Sequence, residues 1–371
     1  MPPTIPDFAP IATSKSRLKR LRTALERNSV PALLITNPAD IRYLSPFCGD
    51  DSYALVTDSS FHIISDFRYL ADLAPVKGLA TVVIREADML AAVKGVVSDL
   101  RLKRLAVQSE SITLATHARL AKALRPVKLI ESAGVLAALR IIKDDAEIAF
   151  IRRAVAIQQA ALLATLKAIK AGQREIEVAA RLEFEMKSRG SVKPAFDTIV
   201  AADANAAKPH ATPGQKKLKH NGIVLIDWGA RSAGYCSDMT RVFAFGTWPA
   251  RIAEIYKIVL EAHNDAMAAA KPGMTGRALD AVARNTITRA GYGPQFGHGT
   301  GHGIGLNIHE APSLRKLDAG TILRPGMVVT VEPGIYLPDI GGVRIEDDLL
   351  ITKRGSEGLC TLPKTLNWAT L

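Results

Sequence analysis

The sequence contains few cysteines and no apolar run long enough to cross a membrane. Cys48, Cys236 and Cys360 lie far apart, form no paired metal-binding spacing and leave one cysteine over from any disulfide. We therefore expect a reduced, cytoplasmic protein. No apolar run approaches the roughly 20 residues that span a bilayer, and the first residues lack the basic and apolar segments of a signal peptide. We expect no membrane partner.

Several catalytic motifs are also missing. The chain has no Gly-x-Ser-x-Gly elbow, no phosphate-binding loop and no glycine fingerprint for dinucleotides, which argues against three large enzyme classes. The net charge is +12, but the basic clusters at Lys15–Arg22 and Lys216–Lys219 lack interleaved aromatic residues. Solvated surface accounts for such clusters better than nucleic-acid binding does, so we expect no nucleic-acid partner.

A chain of 371 residues predicts two domains. Residues 1–12 form a proline-punctuated tail. Residues 13–137 alternate short apolar strands with helices, including a helix capped by Ser14 and a hairpin of Tyr53–Thr57 and Phe61–Ser65, which predicts an α/β scaffold or oligomerisation domain. Residues 138–371 are predicted to form the second domain, which begins with a long helix after Lys143.

The second half repeats itself. The segment Ile169–Gly190 aligns with Ala270–Gly291 at a constant shift, and each copy follows a predicted helix and precedes strand-like segments. Internal repeats of this kind predict a domain with pseudo-twofold symmetry and a site between its halves.

Each copy is followed by a predicted hairpin with an acid on each strand. In the first, Asp227 and Asp238 are equally far from a turn centred at Ser232–Ala233, so a simple hairpin places them opposite each other, with Cβ atoms roughly 4.5–5.5 Å apart. Two facing carboxylates repel unless a cation or a proton lies between them. A solvated sheet edge is the alternative, but the apolar flanks argue against it.

The second hairpin places Glu332 on one strand and Glu346 on the other, with Arg344 on the same face as Glu346. Between the two hairpins lies the glycine-rich stretch Gly297–Glu310, which holds His298, His302 and His309. A glycine-rich loop with incidental histidines is the alternative explanation. Glycine permits close backbone approach and unusual φ/ψ angles, while imidazole is a common metal ligand and proton carrier.

If the hairpins meet, four carboxylates and His302 share one site. Two divalent cations about 3.5–4 Å apart would offset this charge, activate water and polarise a carbonyl, so the predicted reaction is amide hydrolysis. A ligand set rich in oxygen with one nitrogen suits Mn²⁺ and permits Fe²⁺, Co²⁺ or Zn²⁺.

With these residues in place, the chain resembles the pita-bread metallopeptidase family of creatinase, aminopeptidase P and prolidase. The resemblance extends to NPADIRYLSPF (Asn37–Phe47), SDFRYLADL (Ser65–Leu73), LRIIKDDAEIAFIRRA (Leu139–Ala154) and FDTIVAADANAAKPHATP (Phe196–Pro213). It implies an α/β creatinase-like N-terminal domain and an α+β pseudo-twofold pita-bread catalytic domain. Methionine aminopeptidases lack that first domain.

The resemblance also implies metal ligands. Asp227 would bind one ion, Asp238 and Glu346 would bridge both, and the second ion would be bound by His302 and Glu332. Glu332 would also accept a proton from the attacking water.

Substrate contacts are implied in the same way. His210 and His309 would bind substrate and stabilise the tetrahedral intermediate, and Arg344 would support the ligands through charge-assisted hydrogen bonds. His298 would support the ligands or line a proline pocket, or else it only makes local loop bonds.

The implied activity is metal-dependent hydrolysis of the Xaa-Pro bond at the amino terminus of dipeptides or short peptides, by a homodimer. Some prolidases carry an arginine where Ser313 stands, so the choice between prolidase and aminopeptidase P stays open, with Arg315 nearby. Two further alternatives are a metal-dependent hydrolase of a non-peptide C–N bond and an inactive binding module. Creatinase-like proteins use the fold without the full metal set, so the complete set of five predicted ligands favours metal chemistry and argues against the inactive module.

Overall fold

The computed structural model describes residues 7–86, 88–318 and 320–371. Residues 1–6 of the predicted tail lie outside the described residues. The described residues divide into two compact units, one up to residue 140 and one from residue 141 onward. The domain boundary predicted between residues 137 and 138 falls inside the helix Val135–Arg140, which ends the first unit.

The first unit is built on a mixed sheet of six strands in the order β4-β3-β2-β1-β5-β6, flanked by helices. Its core consists of aliphatic side chains such as Leu34, Leu55 and Val107. The elements are α1 (Ile11–Arg27), β1 (Ala32–Ile35), α2 (Pro38–Leu44), β2 (Tyr53–Thr57), β3 (Phe61–Ser65), β4 (Thr81–Ile84), α3 (Met89–Asp99), β5 (Arg104–Gln108), α4 (Leu114–Ala123), β6 (Lys128–Ser132) and α5 (Val135–Arg140).

The predicted hairpin of β2 and β3 is confirmed residue by residue. The predicted start of α1 is wrong, because the helix begins at Ile11 and Ser14 is buried inside it rather than capping it. A further helix, α2, follows β1. The Asn37 side chain accepts a hydrogen bond from the backbone N–H of Ala39 and so caps that helix.

The second unit combines two helix pairs with antiparallel strands. A three-stranded sheet has the order β11-β8-β7, a five-stranded sheet has the order β13-β12-β14-β17-β18, and β9-β10 and β15-β16 form two ribbons. The elements are α6 (Asp145–Leu166), α7 (Glu175–Ser188), β7 (Ile199–Ala202), β8 (Ile223–Trp228), β9 (Arg231–Ser232), β10 (Tyr235–Cys236), β11 (Met239–Ala244), α8 (Ala250–Ala269), α9 (Gly276–Arg289), β12 (Gly301–Gly303), β13 (Glu310–Leu314), β14 (Val328–Val331), β15 (Gly334–Leu337), β16 (Gly341–Arg344), β17 (Asp347–Ile351) and β18 (Ser356–Gly358).

The predicted repeat is visible in equivalent hydrogen bonds. Gly172 lies between α6 and α7 with φ of 93°, and its N–H donates to the carbonyl of Leu218 at 2.8 Å. Gly273 lies between α8 and α9 with φ of 87°, and its N–H donates to the carbonyl of Leu323 at 2.9 Å. Glycine tolerates this left-handed conformation without steric cost. The two halves therefore fold alike, as the α+β pseudo-twofold prediction requires.

Among the described residues, one helix, α6, is long and apolar enough to span a bilayer by length and composition, with a mean hydropathy of 1.2. Half of its apolar window is buried inside the fold. The core helix of a soluble protein meets the same criterion, and α6 buries Phe150, Ile151 and Leu162 within the second unit.

Candidate metal centre and substrate cavity

A cavity of about 1090 Å³ lies within the second unit. Its walls include α7, the loop after β7, both predicted hairpins and the glycine-rich stretch. Every predicted site residue lines it: His210, Asp227, Asp238, His298, His302, His309, Glu332, Arg344 and Glu346.

The first hairpin differs from the prediction by the position of its turn. The turn residues are Ala233, with φ of 50°, and Gly234, with φ of 82°. Two consecutive positive φ angles match the turn that joins tightly twisted antiparallel strands. Asp227 consequently pairs with Thr240, and the prediction that Asp227 and Asp238 lie directly opposite each other is wrong. Both carboxylates still face the cavity.

The second hairpin keeps one register along its length. Val331 at the end of β14 pairs with Asp347 at the start of β17, and β15 and β16 continue the ribbon beyond that pair. Glu332 and Glu346 occupy the junction between the two ladders, so they are brought together as expected. Neither acid lies within a strand, which corrects the prediction for both Glu332 and Glu346.

The two hairpins meet through backbone and side-chain hydrogen bonds. The N–H of Glu346 donates to the carbonyl of Thr240 at 3.2 Å, and the Thr240 hydroxyl donates to Glu346 Oε2 at 2.6 Å. In the reverse direction, the N–H of Asp238 donates to Asp348 Oδ2 at 3.0 Å. Thr240, two residues after Asp238, thus contacts Glu346 of the other hairpin. Asp348, two residues after Glu346, contacts Asp238 in return.

The glycines of the central stretch allow backbones to approach closely. A Cβ atom on Gly301 would lie 2.0 Å from the carbonyl oxygen of Thr330, and one on Gly303 would lie 2.2 Å from that of Ala311. Strand β12 therefore fits between its neighbours only with glycine on both sides of His302. The close approach, rather than an unusual φ angle, explains this part of the motif.

One nitrogen of the His302 ring is hydrogen-bonded to the backbone. Nδ1 lies 3.0 Å from the carbonyl oxygen of Gly303, so it carries the proton when the ring is neutral. Burial lowers the pKa of His302, which favours that neutral ring. Nε2 then directs a lone pair towards Asp238 Oδ2 at 3.7 Å and Glu332 Oε1 at 3.4 Å. Such an arrangement of lone pairs requires a cation or a proton between them.

The carboxylates of the cluster also require a cation or a proton between them. Burial and neighbouring acids raise the pKa values of Asp238 and Glu346 well above the usual range. Buried Oδ1 atoms of Asp227 and Asp238 have no hydrogen-bond partner in the described part of the chain. Ligand atoms of Asp238, His302 and Glu346 lie within 4.8 Å of one another. A set of buried carboxylates with one imidazole fits divalent cations.

Arg344 and Tyr336 link this cluster to His298. Arg344 Nη2 donates to Asp227 Oδ2 at 2.6 Å and Nη1 donates to the Tyr336 hydroxyl at 2.8 Å. The hydroxyl lies 2.9 Å from His298 Nε2, while His298 Nδ1 faces the carbonyl of Gly299 at 2.8 Å. The His298 Nδ1 proton is thereby fixed, and Nε2 accepts from the tyrosine.

Tyr336 is a residue of the candidate site that the sequence patterns did not single out. Burial raises its pKa to about 12, so the hydroxyl stays protonated in the neutral range. Residues two apart share a face of a strand, and that period relates Tyr336 to Glu332. This spacing could have indicated that Tyr336 belongs to the site, but a tyrosine in an apolar strand is more often a core residue.

His210 and His309 are exposed at the wall of the cavity. The His309 ring packs edge-on against that of His302, with centroids 4.4 Å apart. Burial is the main cause that lowers the pKa of His309, followed by the charge of His302. Two imidazoles from separate segments therefore border the space above the carboxylate cluster.

Comparison with known proteins agrees with this geometry. The family model of Metallopeptidase family M24 matches residues 149–353, and that of the Creatinase/Prolidase N-terminal domain matches residues 17–142. An Xaa-Pro dipeptidase of Pyrococcus horikoshii is 38% identical over 356 residues, covering 94% of this chain and 98% of that relative.

Two solved structures are similar over nearly their whole length. An Xaa-Pro dipeptidase from Bacillus anthracis has a TM-score of 0.92 at 39% identity, covering 96% of this chain and 100% of that one. An X-Pro aminopeptidase from Thermotoga maritima has a TM-score of 0.86 at 37% identity, covering 92% and 98%. The predicted resemblance and the predicted fold class are confirmed.

Proposed function

We propose, from the premise that this chain belongs to metallopeptidase family M24, that it hydrolyses the Xaa-Pro bond at the amino terminus of dipeptides or short peptides. Relatives named Xaa-Pro dipeptidase match almost the full chain. The observation that supports the proposal most directly is the cluster of Asp238, His302 and Glu346, whose ligand atoms lie within 4.8 Å of one another at the base of the cavity.

Five residues would hold two divalent ions, for which we propose Mn²⁺ because the set is rich in oxygen. They are Asp227, Asp238, His302, Glu332 and Glu346. When bound, such ions polarise a carbonyl and lower the pKa of water. Co²⁺, Zn²⁺ and Fe²⁺ remain compatible with the same ligands.

The chain's own groups provide proton transfer and orientation. Glu332 lines the cavity with Oε1 3.4 Å from His302 Nε2, and as the family resemblance implies, it would accept a proton from the attacking water. His210 and His309 border the cavity and would donate hydrogen bonds to the substrate carbonyl as negative charge develops on it. Arg344 holds Asp227 at 2.6 Å and thereby fixes the ligand orientation.

Arg315 is the residue that we propose to influence which length of peptide is retained. It lines the same cavity and is exposed, so its guanidinium is accessible to the carboxylate of a short peptide. Retention of a dipeptide depends on such an anchor more than retention of a longer peptide, whose additional residues contact the cavity wall.

The direct test is hydrolysis of an Xaa-Pro dipeptide and of a matching tripeptide by purified protein with added Mn²⁺, following release of the amino-terminal amino acid. Cleavage of the dipeptide alone defines a prolidase, and preference for the tripeptide defines an aminopeptidase P. Cleavage of neither, with two ions bound per chain, favours a non-peptide substrate. Absence of both cleavage and bound metal favours an inactive binding module.

We also propose a homodimer in the cytoplasm. The family resemblance supports the dimer, and the three unpaired cysteines support a reduced compartment. Light scattering of the purified protein measures the first, and fractionation of the source cells tests the second. A monomer or an exported protein would contradict these two proposals without affecting the activity.

A further inference from the structure

Lys143 is a buried cation outside the metal cluster. Its side chain has no solvent exposure, and Nζ lies 3.4 Å from Glu310 Oε2, whose side chain is 8% exposed. A lysine is almost never fully buried unless it is paired. The pair joins residues 167 positions apart in the sequence.

The backbone holds Lys143 in place before its side chain reaches Glu310. The Lys143 N–H donates to the carbonyl of Gly326 at 2.8 Å, just before strand β14. The next residue, Asp144, caps α6 in a reciprocal capping box with Glu147. The lysine thus projects from a fixed point rather than from a mobile loop.

Glu310 closes the loop that carries His309. Its Oε1 accepts a hydrogen bond from the N–H of Asn307 at 2.9 Å, and a Cβ atom on Gly305 would lie 2.6 Å from its Oε2. The carboxylate therefore fills the inside of the loop 305–310, with Lys143 on its other side. The imidazole of His309 is attached one residue earlier.

We propose that Lys143 and Glu310 are positioning residues that hold the His309 ring at the cavity wall. The ring of His309 contacts that of His302, with centroids 4.4 Å apart. The backbone of His309 is held on one side by the next residue, Glu310, which begins strand β13. Releasing the carboxylate from Lys143 lets the loop shift and carries the ring away from its place over the cluster. The catalytic consequence of this inference rests on the proposed function, in which His309 contacts substrate.

The central variant is Glu310→Gln. An amide keeps the shape and the acceptor for the Asn307 N–H but removes the charge that pairs with Lys143. We expect kcat on an Xaa-Pro dipeptide to fall about 10- to 100-fold, the effect of a displacement of roughly 1 Å, with bound metal and KM unchanged. The matched control is Glu357→Gln, which breaks an exposed ion pair with Arg152.

A double-mutant cycle separates positioning from general destabilisation. In a His309→Ala background, Glu310→Gln should cost less than twofold, because the ring it positions is already missing. If it costs as much there as in the wild type, or if Glu310→Gln alone changes kcat less than twofold, the inference is overturned. Should Glu310→Gln not fold, Lys143→Met/Glu310→Gln leaves neither charge buried alone and is tested in the same cycle.

An NMR measurement does not depend on activity. In protein with ¹³C-labelled histidine, Glu310→Gln should shift the His309 ring resonances and leave those of His298 in place. Unchanged His309 resonances overturn the inference even if kcat falls. If the wild type cleaves no Xaa-Pro peptide but the His309 resonances shift, the proposed function fails and the positioning role stands.

Discussion

Arg344 lies 2.6 Å from Asp227 through its Nη2 atom, and both side chains are nearly buried. The same guanidinium reaches Thr240 Oγ1 at 2.9 Å and the Tyr336 hydroxyl at 2.8 Å. A planar fork makes these three contacts simultaneously, whereas a lysine ammonium acts as a single point charge. Arg344 therefore orders residues of both hairpins around Asp227, which we propose as a metal ligand.

Substitution Arg344→Lys should weaken metal binding. Retaining the charge but losing the fork should reduce metal affinity or activity about 10- to 100-fold, as is usual for residues that orient ligands. Titration calorimetry with Mn²⁺ and peptide hydrolysis measure the two effects. Arg152→Lys, at an exposed ion pair, is the control, and equal metal affinity in both variants would contradict the expectation.

Substitution Asp238→Asn tests whether the acids repel each other without metal. Because the folded-state pKa of Asp238 is raised, its ionisation opposes folding as pH rises above the pKa of the unfolded chain. At pH 7 in EDTA, the variant should melt at a higher temperature than the wild type, and below about pH 4 the difference should disappear.

Added Mn²⁺ should reverse that order. An ion that binds only the folded state stabilises it by about 2.7 kcal/mol when its free concentration is 100-fold above Kd, and the wild type should gain this while Asp238→Asn should not. Thermal melts with EDTA and with Mn²⁺ give both results. A metal-dependent rise of equal size in the variant would remove Asp238 from the ligand set.

Substitution Tyr336→Phe removes one oxygen and leaves the ring. His298 Nε2 loses its hydrogen-bond partner, whereas Arg344 Nη1 keeps the carbonyl of Pro209 at 3.4 Å, and a buried polar group without a partner costs about 1–3 kcal/mol. We expect kcat to fall by roughly tenfold with bound metal unchanged. Since burial raises the pKa of Tyr336 to about 12, the pH profile of the wild type below pH 9 should contain no ionisation of Tyr336. Wild-type kcat in the phenylalanine variant would exclude the link to His298.

An acid on each arm of a predicted hairpin made much of the site predictable. The acids of the second hairpin, Glu332 and Glu346, lie together because the ladders on either side of them share one register. The predicted turn of the first hairpin differs from the observed turn by one residue. Ala233 adopts a positive φ angle, which is uncommon for alanine and is not predicted from the residue type. A turn shifted by one residue was enough to replace Asp238 with Thr240 as the partner of Asp227.

The sequence patterns did not predict contacts between segments that are distant in the chain. Lys143 appeared only as a charged residue before a helix, and Glu310 as the end of the histidine stretch. Their pairing depends on how α6 and strand β13 pack, which neither local propensity nor spacing determines. The same holds for the Tyr336 hydroxyl, whose partners come from two other segments.

His263 on α8 is expected to make the stability of the protein depend on pH, separately from catalysis. Its side chain is fully buried, and Nε2 lies 3.4 Å from Asp347 Oδ2. Burial lowers the pKa of His263 to about 4, although Asp347 opposes the shift, while Lys364 and Arg241 reinforce it. The folded protein thus keeps a neutral imidazole where the unfolded chain has a pKa of about 6.5.

Between about pH 6.5 and 4 the unfolded chain therefore binds a proton that the folded protein does not, so the free energy of unfolding falls as pH decreases. The slope attributable to His263 is at most about 1.4 kcal/mol per pH unit. Urea unfolding in EDTA at pH 7, 6 and 5 should show the wild type losing stability relative to His263→Phe, which fills the site without titrating. A constant difference between the two proteins across this range would mean that His263 is not held neutral by burial.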